Sequence, residues 1–390
     1  MSGTLDRLAS LSNCVIQKCD CARSPDANWV VYNFNWFQHT FMGRPMKARE
    51  GDLVESKDGL FFDVKGLVQP PGRTVAFPRF VLDPFGKRKF KDAVYKKIYA
   101  ISDRYSFLKA HLPHYLVFDP VFGVLLSKVP DEDVQQHYRP AQYLQELRGR
   151  ETKELTVVES NALSFLQSLK ANANVPWDAL GVSGSLLVHL ALPGSDIDPV
   201  VSGQKYGEKV YEALKSMMKD KNNPTSPYSK KELRKLYSFR SQDTKMLFED
   251  FIEVERRKIL QGKFLQSDFY IRCIKDWNEI NEQYGDVIYQ SIGQARIKAV
   301  ITDDSEAIFT PCRYLLDQVS FLQGSVREQV KALSEISSFR GRFCEQVEKG
   351  ETVIAQGKVE KVSRRDGNTS FRIILGTKTS DFMVKRRSTA

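Results

Sequence analysis

The spacing of apolar and polar positions changes several times along the chain, and each change predicts a boundary between elements. Residues 1–41 carry neither a helical nor a strand period. They mix Ser, Asn, Cys14, Cys19 and Cys21 with an aromatic patch of Trp29, Tyr32, Phe34, Trp36 and Phe37. Patterned sequence begins just after Met42-Gly-Arg-Pro-Met46. That contrast marks 1–41 as an extension and makes Met42 or Met46 an alternative translation start. From 51 to 82 short alternating runs predict strands, with Lys57-Asp58-Gly59 as a hairpin turn and Pro70-Pro71-Gly72 as a break. Val94, Ile98, Ile101, Tyr105 and Leu108 fall on one stripe, which predicts a helix from Asp92 to about Lys109. Pro130, Pro140 and Gly149-Arg150 mark loops, and a domain boundary is expected near residue 150.

Beyond it, Thr152 is expected to cap a helix reaching Lys170, with Leu155, Val158, Ala162, Phe165, Leu166 and Leu169 facing inward. Residues 180–184 read as a short strand ending in glycine, 186–190 as the start of a helix, 197–201 as a strand, 208–219 and 229–261 as helices, and 269–274 and 297–302 as strands. The last part alternates through 353–362 and 371–375 around a turn at Arg365-Asp-Gly-Asn368, which predicts a small antiparallel β unit. The expected organisation is a β-rich α+β domain over 46–150, an α/β domain with a mixed sheet over 151–305, and a C-terminal β domain over 306–390.

Composition narrows the picture. With 42% hydrophobic and 27% charged residues, the chain reads as soluble and globular. It has no apolar run of the ~20 residues that span a bilayer and no secretory leader pattern, so a cytoplasmic location is the expectation. The six cysteines lack the spacing of zinc pairs. Of the net charge of +10, residues 340–390 contribute +6, from 12 Lys or Arg against 6 Asp or Glu. A basic end suits a polyanion such as RNA; simple solubility is the competing reading.

The segment that suggests chemistry runs Gly181-Val-Ser-Gly-Ser-Leu-Leu-Val-His-Leu-Ala-Leu-Pro-Gly-Ser-Asp-Ile-Asp-Pro-Val-Val-Ser-Gly203. Gly184 permits close approach of backbone N–H groups to a phosphate, and Ser185 adds a hydroxyl at a helix start. Asp196 and Asp198 are i and i+2 on an expected strand, so both carboxylates share one face while Ile197 turns inward. Two close carboxylates repel, and hard oxygen donors of this kind suit Mg²⁺ or Mn²⁺. An isolated Asp-x-Asp is commonly a turn or a cap, and an isolated Gly-Ser a loop; their combination at this spacing is the informative feature.

This Gly-Ser followed after about ten residues by Asp-Ile-Asp resembles the signature of the polymerase β-like nucleotidyltransferases. Outside it, Gly51-Asp-Leu-Val-Glu-Ser-Lys-Asp-Gly-Leu, Val64-Lys-Gly-Leu-Val-Gln-Pro-Pro, Tyr115-Leu-Val-Phe-Asp-Pro-Val-Phe, Ile308-Phe-Thr-Pro-Cys-Arg-Tyr and Ser338-Phe-Arg-Gly-Arg-Phe are similar to stretches of an uncharacterised family of predicted archaeal nucleotidyltransferases. The resemblance implies transfer of a nucleoside monophosphate from a nucleoside triphosphate to an acceptor hydroxyl. It assigns the metal to Asp196 and Asp198 and the triphosphate to Gly184 and Ser185. It also implies a third carboxylate on a later strand, for which Asp268 is the first candidate and Asp303 and Asp304 the next. Lys205, with Lys209 and Lys215 behind it, is a candidate phosphate contact, against the plain reading of an exposed helix face. Ser338-Phe-Arg-Gly-Arg-Phe pairs two arginines with two aromatics, as nucleic-acid surfaces do, while the i, i+4 spacing of Phe339 and Phe343 is the plainer mark of core packing; His189 reads as a packed side chain. Pro199 departs from the pattern, since proline gives up a ladder donor. A non-catalytic nucleotide- or RNA-binding protein that keeps the fold is the alternative.

Overall fold

Alternating side chains build the first sheet. In the computed structural model, which describes residues 46–242 and 246–386, β1 (Leu53–Ser56), β2 (Phe61–Val64), β3 (Arg73–Leu82), β4 (Arg88–Phe90) and β5 (Ala93–Lys97) are joined by β6 (Leu116–Asp119), β7 (Val124–Pro130) and β8 (Val134–Tyr138). The order is β4-β5-β3-β2-β1-β8, with β7 bridging β3 and β6. The turn after β1 falls at Gly59 as expected, with φ +72°. The helix expected from Asp92 begins only with α1 (Ile101–His111). Residues 88–97 instead form a hairpin, because Tyr95 is buried with its ring 5.4 Å from that of Phe61. Cross-strand packing overrides the helical stripe there.

Successive strand residues feed opposite faces. Val54, Phe62 and Val64 pack with Leu108 of α1, whereas Leu53, Phe61, Phe80 and Tyr95 join a second core. That second core also contains Tyr143 of α2 (Pro140–Gly149) and Phe165 and Leu169 of α3 (Val157–Ala173). The boundary expected at residue 150 is therefore no gap, since one core runs through it. The cap of α3 is Thr156, in a capping box with Glu159; Thr152 only opens a short 3₁₀ turn.

The chain continues through β9 (Leu180–Val182), α4 (Gly184–Leu187), β10 (Pro199–Ser202), α5 (Gln204–Lys219), β11 (Thr225–Ser226), α6 (Lys230–Arg240), α7 (Phe248–Glu255), β12 (Gln261–Phe264), β13 (Ser267–Tyr270) and β14 (Arg272–Ile274). The continuous helix expected over 229–261 is two helices. β10 runs antiparallel to β9 and parallel to β14, a small mixed sheet. Pro199 is the first residue of β10, where the missing N–H does least harm.

The last element group is larger than expected. β15 (Val287–Asp303), β16 (Cys312–Gly324), β17 (Leu333–Ser338), β18 (Thr352–Arg364) and β19 (Thr369–Leu375) close into a ring, because β15 pairs with both β16 and β18. α8 (Arg327–Val330) lies between β16 and β17, and β20 (Phe382–Lys385) adds to β18. β17 and β19 are parallel, so the unit is not purely antiparallel. Inward Ile297, Ala299, Ile301, Val353, Ala355 and Val359 fill the barrel. It begins at β15, which moves the expected boundary at 305/306 back to about 287.

The fold class is mixed α and β with several sheets. The chain divides into Met1–Arg44 and Pro45–Ala390; the expected extension over 1–41, with its alternative start, lies outside the described residues. No helix among the described residues is long and apolar enough to cross a membrane.

Candidate active site

The antiparallel pairing of β9 with β10 brings the end of one strand beside the start of the other. Ser183 N–H donates to the Asp198 carbonyl at 2.8 Å, and the Ser183 hydroxyl donates to the Gly51 carbonyl at 2.6 Å. Gly184 follows with φ +68°, and a Cβ placed on it would lie 1.9 Å from Asp198 Oδ2. A side chain there would be strained by the backbone angle and would have to push the Asp198 carboxylate aside. The two halves of the sequence signature thus meet in space.

Asp196 and Asp198 line a cleft of about 1150 Å³. Ile197 between them is fully buried, and its N–H and carbonyl bond to β13 through Asp268 O (2.8 Å) and Tyr270 N (3.1 Å). Burial in the cleft, then repulsion from Asp196, pushes the Asp198 carboxyl up to about 6, while Lys97, Arg272 and Arg79 pull it down. Lys97 Nζ lies 4.0 Å from Asp196 Oδ1. These three cations were not legible as site residues. Arg79 sits on β3 and Lys97 at the end of β5, about a hundred residues upstream, and the one signal is Arg79 interrupting an apolar strand. Arg272 Nη1 reaches Glu50 at 2.7 Å. Burial pushes neighbouring Asp63 up, but Lys65, Arg272, Arg104 and Arg79 outweigh it and hold that carboxyl well below the usual range.

The other expected site residues divide. Asp268 stands level with Asp196 on the adjacent β13, from the pairing of Ile197 with Phe269. Its carboxylate, about half exposed, is taken by Lys263 Nζ at 2.9 Å. Among the described residues no group of three His, Cys, Asp or Glu is arranged to hold a metal ion. Asp303 accepts from Ser305 and Asp304 from the Lys349 N–H, and neither lines the cleft.

Ser185 and Lys205 depart from their expected roles. The Ser185 hydroxyl is buried without a hydrogen-bond partner among the described residues and does not line the cleft. Lys205 is exposed on α5 and is likewise absent from the cleft, because α5 starts beyond the far end of β10. Its N-terminus is already closed by Glu279, which accepts from Gln204 N–H at 2.9 and 3.0 Å. Lys209 is exposed and Lys215 faces Glu212 at 3.8 Å. His189 stacks on Phe90 as packing. Of the expected core pair, Phe343 is buried but Phe339 is 37% exposed at the cleft.

One relative is informative. The chain is 31% identical over 345 residues to the uncharacterised protein MJ1086 of Methanocaldococcus jannaschii, across 86% of this chain and 98% of that protein. It therefore belongs to the same family as that archaeal protein. No family profile matches the chain, and no solved structure matches it.

Proposed function

We propose that the chain is a metal-dependent nucleotidyltransferase of the polymerase β-like superfamily. It moves a nucleoside monophosphate from a nucleoside triphosphate to an acceptor hydroxyl and releases pyrophosphate. The observation that carries this reading is the contact of Gly184 with the Asp198 carboxylate, which makes the Gly-Ser turn and the Asp-Ile-Asp run one site. Asp196 and Asp198 supply hard oxygen donors. Mg²⁺ is commonly held by one or two carboxylates together with substrate phosphates, so two aspartates suffice from the protein. A divalent cation bound there would neutralise charge on the reacting phosphate and the leaving pyrophosphate. Lys97, Arg79 and Arg272 add fixed positive charge beside the same carboxylates, where triphosphate charge has to be accommodated. Asp198, pushed up to about 6, is mostly ionised above pH 7 and available as a ligand.

The test is pyrophosphate release from each of the four nucleoside triphosphates with Mg²⁺ or Mn²⁺ and a mixed pool of RNA acceptors. Divalent-dependent release that disappears in Asp196→Asn/Asp198→Asn is expected. A second reading, a catalytically inactive nucleotide- or RNA-binding protein, draws on the pairing of Asp268 with Lys263, which leaves the third carboxylate without a partner role at the aspartate pair. Triphosphate binding without any pyrophosphate release would favour it. The basic C-terminal region is the proposed contact for RNA in either case.

A further inference from the structure

Resting on the nucleotidyltransferase reading, we infer that the acceptor is the end of a single-stranded nucleic acid. Its terminal nucleotide sits at Asp196 and Asp198, and the preceding ones run along the cleft onto the barrel. Three observations converge on this. The cleft, at about 1150 Å³, exceeds the ~300–1,000 Å³ that encloses a small ligand, and it reaches from the two aspartates to β15, β18 and β19. A small acceptor would leave the barrel wall unused. The lining carries eleven Lys or Arg against six Asp or Glu, and although Glu50, Glu255 and Glu306 outside it pair with four of those cations, the smaller excess that remains favours a polyanion over a basic acceptor. Aromatic rings stand among those cations at both ends. Tyr99 is 46% exposed, with Arg79 at 5.2 Å and Lys97 at 5.0 Å from its ring, and Lys97 also touches Asp196. Phe339 is 37% exposed on the barrel side, next to Arg340. A basic track with separated aromatic platforms is what unpaired bases stack on, and a duplex offers no free base faces to it.

Binding is measured without nucleotide, so this test is independent of transfer. Fluorescence anisotropy would follow 12-nucleotide fluorescein-labelled oligo(U) and oligo(dT), and a blunt hairpin duplex, on the full chain in low and moderate salt with EDTA present. Both single strands, or either one, are expected to bind more tightly than the duplex, with affinity falling steeply with salt. Tyr99→Ala and Phe339→Ala should each weaken binding roughly ten-fold with an unchanged circular dichroism spectrum. Preference for the duplex, or single-strand affinity unchanged in both aromatic variants, would overturn the inference. Intact strand binding without any nucleotidyl transfer would support the seat and count only against the nucleotidyltransferase reading.

Discussion

Single side chains decide the chemistry at the aspartate pair, and two of them are open to direct test. Gly184 combines a positive φ with a carboxylate oxygen in the volume a methyl group would fill. Gly184→Ala meets about 1–2 kcal/mol of backbone strain and must also displace Asp198. The fold should survive, while Mg²⁺-dependent triphosphate binding, read by calorimetry, should drop at least ten-fold; native-like affinity in that variant would refute the packing described for the turn. Asp198 gives a pH signature. Its folded value of about 6 lies above the ordinary 3.8. The contribution to stability is then fully present below pH 3.8 and lost as pH rises through 6. Asp198→Asn removes that loss, so it should be more stable than the native chain at pH 8 by about 1–3 kcal/mol, and show no such gain at pH 4. Urea melts at the two pH values measure both, and a gain of equal size at each would sink the assignment. Adding Mg²⁺ with a triphosphate should stabilise the native chain more at pH 8 than at pH 5, where Asp198 holds its proton.

Elements show where sequence pattern is sufficient and where it fails. The strands of β1 to β3 and the short β9 were legible because alternation, glycine turns and prolines act over a few residues. The register of β5 was not, since Val94, Ile98 and Ile101 fit a helix until Tyr95 meets Phe61 from another strand. Capping went astray by one motif: counting Leu155 into the apolar stripe points to Thr152, but only Thr156 has Glu159 at the third position to return the bond. Thr156→Ala should cost about 1 kcal/mol in chemical denaturation and Thr152→Ala almost nothing; equal losses would contradict the observed cap. At the candidate site, both aspartates and Gly184 could be grouped from sequence because they lie in one short segment, and the fold brings them together. Lys97, Arg79 and Arg272 could not, because only the fold brings their strands to that segment. The barrel was half legible: strand-like runs were visible, but closure depends on β15 pairing with β18 across more than fifty residues. That closure changes what a truncation means. Removing 351–390 takes away β18, β19 and β20, and should unfold the barrel rather than trim a basic tail. Loss of barrel protection in hydrogen exchange is the expected readout, and a truncated chain retaining it would be inconsistent with the ring.

Partly buried polar contacts between the sheets and the barrel add to the packed core and tie part of its cohesion to pH. Arg49 reaches Asp276 at 3.1 Å and Ser202 at 3.0 Å, and Arg272 reaches Glu50, fastening the first sheet to the second. On the other side, Glu345 of the barrel accepts from the Ile259 N–H at 2.7 Å and the Leu260 N–H at 3.1 Å. Burial pushes this carboxyl up to about 7, against the opposing pull of those N–H groups, Lys258 and Tyr211. Its ordinary value is 4.5, so its stabilising effect is complete below that pH and declines as pH rises through 7. Glu345→Gln keeps an acceptor for one N–H, turns an amide donor toward the other, and does not titrate. The variant should therefore be less stable than the native chain at pH 5, with the difference shrinking by about 1–3 kcal/mol at pH 8. Because one core runs through residues 53–309 and Glu345 ties the barrel to it, the native chain should melt in one calorimetric transition at pH 5. Glu345→Ala, which leaves both N–H groups unpaired, should separate barrel melting from the rest. Parallel pH–stability curves for the native chain and Glu345→Gln would show that Glu345 does not carry the junction.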